Sequence, residues 1–293
     1  MILTEEFIAK LISPQSGKPL TLNGEILSTP DGMEKFKTLR DIPILFKEDE
    51  NDKTPYRKHY EADAAAFDYT EEIEDAAERV EINRLRQMIF SEIPSAKGWI
   101  LDLGCGGGWL AHGLLSGGKK VVSFDISVKN PEKAIQNNPS GSHFAAVGDA
   151  MSLPFGENSF DVIVASEIIE HVPDPEKLIA EALRVCKPNG KIIITTPYNE
   201  KIRYSLCIHC NQLTPNNAHL HSFTENSILK NVPAPNSTEI KIFNSKLLSA
   251  LKIQKTLGFL PLRFYMPIDK MAIALSGKKA HRLMLIIKKI IER

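Results

Sequence analysis

Between Gly98 and Thr195 the chain alternates five short apolar runs with helical segments, and the first run closes on Asp102-Leu103-Gly104-Cys105-Gly106-Gly107-Gly108. The runs are Trp99–Leu103, Val121–Asp125, His143–Val147, Val162–Ala165 and Lys191–Thr195. Between them lie Trp109–Leu115, Pro131–Asn137 and Pro175–Val185, each with helical spacing. Apolar strands joined by helices imply a parallel sheet covered on both faces, so the expected fold is α/β and doubly wound. The last helix is expected to stop in a turn at Lys187-Pro188-Asn189-Gly190. Two later strand candidates, Glu239–Phe243 and Leu283–Ile287, are expected to follow a long helical insertion.

A glycine-rich turn between strand and helix lets the backbone approach a ligand closely, and several nucleotide-binding folds use one. Three carboxylates narrow the choice. Asp102 precedes the first glycine, where a negative charge suits a cationic amino group better than a pyrophosphate. Asp125 ends the second strand, placed to accept both hydroxyls of a ribose. Asp149 ends the third and can accept from an adenine amino group. Together they outline a pocket for a nucleoside bearing an amino acid.

In order and spacing, Asp102–Gly108, Asp125 and Gly148-Asp149-Ala150-Met151-Ser152-Leu153-Pro154-Phe155 resemble the motifs of class I S-adenosylmethionine-dependent methyltransferases. Within that class the similarity is to the type 11 and ubiquinone-biosynthesis O-methyltransferases. Ser159-Phe160-Asp161-Val162-Ile163 matches the fourth strand, and Arg184–Gly190 the helix and turn before the fifth. The resemblance covers residues 98–200 strongly and the remainder loosely. It implies a Rossmann-like, seven-stranded sheet with S-adenosyl-L-methionine as cofactor. The implied cofactor-binding residues are Asp102, Gly104, Cys105, Gly106, Gly108, Asp125, Ile126, Asp149, Ala150 and Ser166, with Arg86 at the offset of an arginine that meets the cofactor carboxylate. Tyr60, Phe67 and Tyr69 are candidates for an aromatic lid over the acceptor.

Glu167-Ile168-Ile169-Glu170-His171 follows the fourth strand, beside the ligand. The resemblance implies a catalytic pair here, His171 as base with Glu170. In small-RNA 2′-O-methyltransferases a similar Glu-x-x-Glu-His holds magnesium, and the corresponding set is Glu167, Glu170, His171 and His219. A second constellation, Cys207-Ile208-His209-Cys210 with His219-Leu220-His221, offers thiolates and imidazoles competent for zinc through Cys207, Cys210, His219 and His221. The segment from Tyr198 to His221 is expected to cover the active site, with Thr224 capping a helix beyond it.

Residues 1–48 resemble the small zinc-ribbon domain that activates RNA and protein methyltransferases as a separate subunit. Ser13 and Ser16 stand where that family has cysteines, so a metal-free domain held by packing is expected. Residues 49–97 are expected to form a linker and a cap helix, the helix from about residue 59 to 93, and residues 98–293 the catalytic domain. Thirty-six basic and thirty-six acidic residues cancel, yet Lys47–Glu81 holds 13 acidic against 5 basic residues and Lys241–Arg293 holds 12 basic against 2 acidic. These segments can neutralise each other, so the total says little about partners. The basic, apolar stretch 247–275 admits three readings: packing on the sheet edge, a rim for a lipophilic acceptor or membrane surface, or a nucleic-acid contact.

The expected activity is S-adenosylmethionine-dependent O-methylation of a small or lipophilic acceptor, with an RNA or protein acceptor and a non-catalytic cofactor-binding module as the alternatives. Four cysteines, acidic residues by position five and the absence of a long apolar run lead to the expectation of a cytoplasmic protein with no transmembrane segment.

Overall fold

The computed structural model describes residues 2–47, 55–69, 73–208 and 211–290. A short helix α1 (Glu5–Ile8) leads into a meander of β1 (Thr21–Asn23), β2 (Ile26–Ser28), β3 (Lys35–Leu39) and β4 (Ile42–Leu45). Residues 49–54 and 70–72 of the expected linker and cap segment lie outside the described residues. Where one helix was expected there are two, α2 (Pro55–Ala66) and α3 (Ala76–Glu92). The side chain of Asp75 caps α3 by accepting from the N–H groups of Ala77 and Glu78, which fixes a new helix start there.

The alternating region then runs β5 (Trp99–Leu103), α4 (Trp109–Leu114), β6 (Lys120–Asp125), α5 (Lys129–Asn137), β7 (His143–Gly148), β8 (Phe160–Ser166), α6 (Pro175–Val185) and β9 (Cys186–Pro197). A hairpin, β10 (Tyr204–Leu206) and β11 (Leu213–Pro215), precedes α7 (Glu225–Leu229), which Thr224 caps reciprocally with Ser227. After β12 (Ser237–Ser245) come α8 (Lys246–Ala250), α9 (Ile253–Leu257) and α10 (Leu262–Leu275), then β13 (Ala280–Lys288). The helical insertion therefore separates the two late strands instead of preceding both.

One sheet runs β1-β2-β3-β4-β7-β6-β5-β8-β9-β13-β12. Its centre, β4 through β9, is parallel, and β13 and β12 are antiparallel. The sheet exceeds the expected seven strands because the N-terminal meander adds to its edge, Ile44 and Leu45 pairing with Val147 and Gly148. The anticipated turn at Lys187–Gly190 is absent. Those residues begin β9, with Asn189 at a φ of 61° and a register shift against β8 between Phe160 and Val162.

Alternation along β5 explains the two cores. Trp99, Leu101 and Leu103 face α6 and the N-terminal Phe7 and Leu11, whereas Ile100 faces Leu85, Met88 and Ile89 of α3 and Leu110 of α4. On α6, Asp174 caps the first turn, and the helical spacing of Leu178, Ile179, Ala182 and Val185 places all four in the first core. Its polar edge has a second task. Arg184 donates to the carbonyls of Leu153 (2.8 Å) and Phe155 (2.7 Å), and Glu181 accepts from the Leu153 N–H (2.8 Å), clamping the segment that follows Asp149.

Candidate active site

The strand tips of β5, β6 and β7 bring Asp102, Asp125 and Asp149 to the carboxyl edge of the sheet, where adjacent strand order reverses about β5 and β8. Asp102 is buried, and its Oδ2 has no hydrogen-bond partner. Burial, with the charge of Asp125 added, pushes its carboxyl up to about 8. Asp125 is also raised by burial, although Oδ1 accepts from the Ser127 N–H (2.9 Å) and Oδ2 from the Asn130 amide (3.1 Å). Asp149 accepts from the Met151 N–H at 2.8 Å, and burial raises it too. Three carboxyls held above their ordinary range make a site prepared for donors and positive charge.

The glycine turn is tight for a visible reason. Gly104 has a φ of 71°, and a Cβ there would lie 2.3 Å from Cγ2 of Ile168. Gly106 (φ 48°) lies under Tyr69, and Gly108 (φ 83°) against Ala134. Cys105 is buried with its thiol raised by burial, Ile126 and Ala150 are half-buried beside their aspartates, and the Ser166 hydroxyl meets that of Thr195 at 3.1 Å.

Two sequence expectations fail here. Arg86 sits over the Trp109 ring at 5.3 Å and lines a cleft of about 280 Å³ with Val80, Asn83, Arg84 and Gly258, none of them a residue of the three-aspartate set. Phe67 points outward with 62% of its surface exposed. The aromatic cover is instead Tyr56, Tyr60 and Tyr69, whose hydroxyls burial shifts upward in the field of Asp125. Tyr56 carried no signal in the sequence beyond its spacing of four from Tyr60, with which it packs at 5.0 Å.

Beside this crevice lies a pocket of about 530 Å³, bounded by Glu167, Glu170, His171, Tyr198, His219 and Lys246 among others. Tyr60 joins the two, its ring edge-on to His171 at 6.0 Å. Glu167 adopts a φ of 57°, unusual for a side chain of this kind, and its Oε2 meets Arg282 at 2.8 Å. Glu167 is thereby drawn out of the expected magnesium set. Glu170, His171 and His219 remain together, their ligand atoms all within 4.8 Å.

Both carboxyl oxygens of Glu170 are buried without partners, and burial beside Glu167 pushes the group well above the ordinary carboxylate range. Burial and the neighbouring His219 press His171 down to about 4, so its ring is neutral near pH 7. His171 Nδ1 faces the Ala218 carbonyl at 3.3 Å, and His219 Nδ1 faces Glu200 Oε2 at 2.5 Å. Both acceptors demand a proton on Nδ1, which leaves each Nε2 lone pair available. Glu200, the orienting carboxylate, was not anticipated.

Among the described residues the zinc constellation is not brought together. Cys210 lies outside the described residues. His219 belongs to the pocket just described, and His221 Nε2 donates to the Val172 carbonyl at 3.0 Å. Among the described residues, Cys207 shares no cluster of three ligand atoms with these histidines.

Residues 101–194 match the methyltransferase domain family. The chain carries a class I S-adenosylmethionine-dependent methyltransferase domain. The demethylmenaquinone methyltransferase of Renibacterium salmoninarum is 33% identical over 38% of this chain and 46% of its own length. The ubiquinone biosynthesis O-methyltransferase of Thiobacillus denitrificans is 34% identical over 44% and 57%, respectively. The chain thus spans about half the length of these relatives. In fold, this chain resembles a chain of the complex between the Haloferax volcanii Trm112 methyltransferase activator and a methyltransferase. That match has a TM-score of 0.54 and 16% identity, covering 81% of this chain and 99% of the other. Haemonchus contortus phosphoethanolamine N-methyltransferase 2, solved with S-adenosyl-L-methionine, gives a TM-score of 0.51 at 18% identity, over 71% of this chain and 52% of its own.

Proposed function

We propose that this chain moves the methyl group of S-adenosylmethionine to an oxygen of a small, lipophilic acceptor. The observation that carries the reading is the adjacency of the three-aspartate crevice to the Glu170–His171–His219 pocket, with Tyr60 between them. Relatives named for demethylmenaquinone and ubiquinone biosynthesis support the acceptor class. Asp102 would hold the methionine amino group, Asp125 the ribose and Asp149 the adenine. The acceptor oxygen attacks the methyl carbon as the carbon–sulfur bond breaks, leaving a neutral thioether. Its proton passes to an imidazole Nε2. Collinear placement of oxygen, carbon and sulfur supplies most of the acceleration.

Of the two imidazoles, His219 has the orienting carboxylate, Glu200, and is the better-supported proton acceptor. His171, pressed down to about 4, is a weaker base and serves to orient the acceptor. The same donor set fits a divalent cation, because Glu170 offers two buried, unpartnered oxygens beside two imidazoles. Glu170, His171 and His219 would hold such an ion, which when bound makes an acceptor hydroxyl more acidic and takes up the Nε2 lone pair that otherwise accepts the proton. The set brought together, one carboxylate and two imidazole nitrogens, suits zinc or manganese better than magnesium.

The test is transfer from radiolabelled cofactor to a panel of catechols and quinols, with structured RNA as a comparator. His219→Gln and Glu200→Gln should each lower kcat by about 10²-fold or more while cofactor affinity by calorimetry stays unchanged. Transfer to RNA alone would replace the small acceptor, and full activity in both variants would remove the assigned base. Elemental analysis after chelation, with activity restored by added zinc or manganese, checks the cation.

A further inference from the structure

The insertion between β12 and β13 presents an apolar face that no other element among the described residues covers. On α10 the outward positions are Arg263, Phe264, Pro267, Lys270, Met271, Ala274 and Leu275, all exposed and recurring at helical spacing. The inward positions, Tyr265, Asp269, Ala272 and Ile273, are buried, so the register of the helix is fixed and its outer apolar stripe is not slack packing. Ahead of it Phe259 is 81% exposed, and Leu275 at the helix end is 75% exposed. Exposed large apolar residues concentrated on one helical insertion mark a contact surface.

Charge says what that surface meets. From Lys246 to Lys279 there are seven basic residues and a single acidic one, Asp269. Asp269 is fully buried, where it accepts from the N–H groups of Asn244 (3.0 Å) and Ser245 (2.8 Å), and so adds nothing to the outer field. Lys278 is paired with Glu225. Among the described residues, Lys252, Lys255, Arg263 and Lys270 form no salt bridge and remain exposed. The acidic segment that precedes α3 reaches Lys255 through the charge of Asp75, without an ion pair. Phenylalanine, leucine and methionine rimmed by unpaired cations are complementary to an anionic bilayer, with the apolar side chains entering the acyl boundary and the cations at the phosphates.

We propose that this insertion, led by Phe259 and the outer face of α10, docks the protein on anionic lipid surfaces as a peripheral contact. No helix among the described residues is long and apolar enough to cross a membrane, so the contact is superficial. Its placement has a use. The insertion leaves the sheet at Lys246 and returns at His281 and Arg282, and all three line the pocket beside Glu170. A lipid-dissolved acceptor would meet that pocket at the docked edge. The docking proposal rests on exposure and charge alone, independently of the reaction assigned to the crevice.

The experiment is flotation of the full chain with vesicles of phosphatidylcholine, or of an equimolar mixture of phosphatidylcholine and phosphatidylglycerol. Binding is expected to the mixed vesicles only, and should weaken as salt rises. Lys252→Glu, Lys255→Glu and Lys270→Glu combined should reduce the partition by on the order of a hundredfold at low salt. Phe259→Ser, Phe264→Ser and Leu275→Ser combined should abolish it. Calorimetric affinity for S-adenosylhomocysteine and the melting temperature should be unchanged in both sets, since these side chains are exposed. Absence of binding to mixed vesicles, equal binding to both compositions, or wild-type binding by the variants would overturn the proposal. So would a dimer in sedimentation that the serine substitutions dissolve while vesicle binding persists, since the face would then belong to a second copy.

Discussion

A buried carboxyl without a hydrogen-bond partner is costly to ionise, and Asp102 is such a group. Its pKa rises in the fold from an ordinary 3.8 to about 8. The protonated form is favoured by folding, so that stabilisation is full below the ordinary value and is lost as pH rises through about 8. A cationic amino group supplies the missing partner and reverses the preference. At neutral pH, binding of S-adenosylmethionine should therefore release a proton from Asp102. Calorimetry in buffers of different ionisation enthalpy would register it, and a heat independent of buffer would contradict the assignment. Asp102→Asn removes the ionisable group but keeps its shape. The ligand-free variant should melt a few degrees higher than the parent above pH 8, bind cofactor at least about tenfold more weakly, and release no proton.

At the scale of elements, the glycine turn admits little substitution. Gly104→Ala combines a left-handed φ of 71° with a Cβ 2.3 Å from Ile168, which belongs to the segment leading to Glu170. The variant should lose both cofactor affinity and acceptor turnover, with a destabilisation of about 1–3 kcal/mol by denaturant titration. Wild-type affinity would mean that the two pockets move independently. Elements of this kind were legible because their constraints are local: an apolar run for each strand, helical spacing over Pro175–Val185 for α6, glycines in the turn after the first strand. Pro175–Val185 as read from the sequence is the helix observed. What was not legible depends on distant partners. Arg86 has a helical position that chain distance alone could direct to the crevice or to Trp109, and packing chose Trp109. Glu200 looked like one acidic residue in a polar loop until folding set it on His219. Glu167 took Arg282 as its partner, more than a hundred residues later in the chain.

Across the whole molecule, the N-terminal meander shares the sheet and the core of the methyltransferase domain. β4 lies against β7 immediately before Asp149, and a Cβ on Gly148 would come within 2.8 Å of the Leu45 carbonyl. Deeper in, Phe7 stacks on Phe144 at 5.1 Å and on Trp99 at 6.4 Å, with Leu11, Leu27 and Leu45 in the same cluster. The hydroxyl of buried Ser13 accepts from the N–H groups of Gln15 and Ser16 and donates to Glu34, so a serine closes with hydrogen bonds the turn where the resembling family has a cysteine. Segments tied this way should melt together. Phe7→Ala removes a fully buried ring and should cost about 3–5 kcal/mol, lowering one cooperative transition seen alike by tryptophan fluorescence and far-ultraviolet dichroism. Because β4 supports the strand that carries Asp149, affinity for S-adenosylhomocysteine should fall as that single transition approaches. An earlier, separate transition, followed by a plateau in which the ligand still binds with full affinity, would mean that the meander unfolds alone and that the cofactor crevice stands without it.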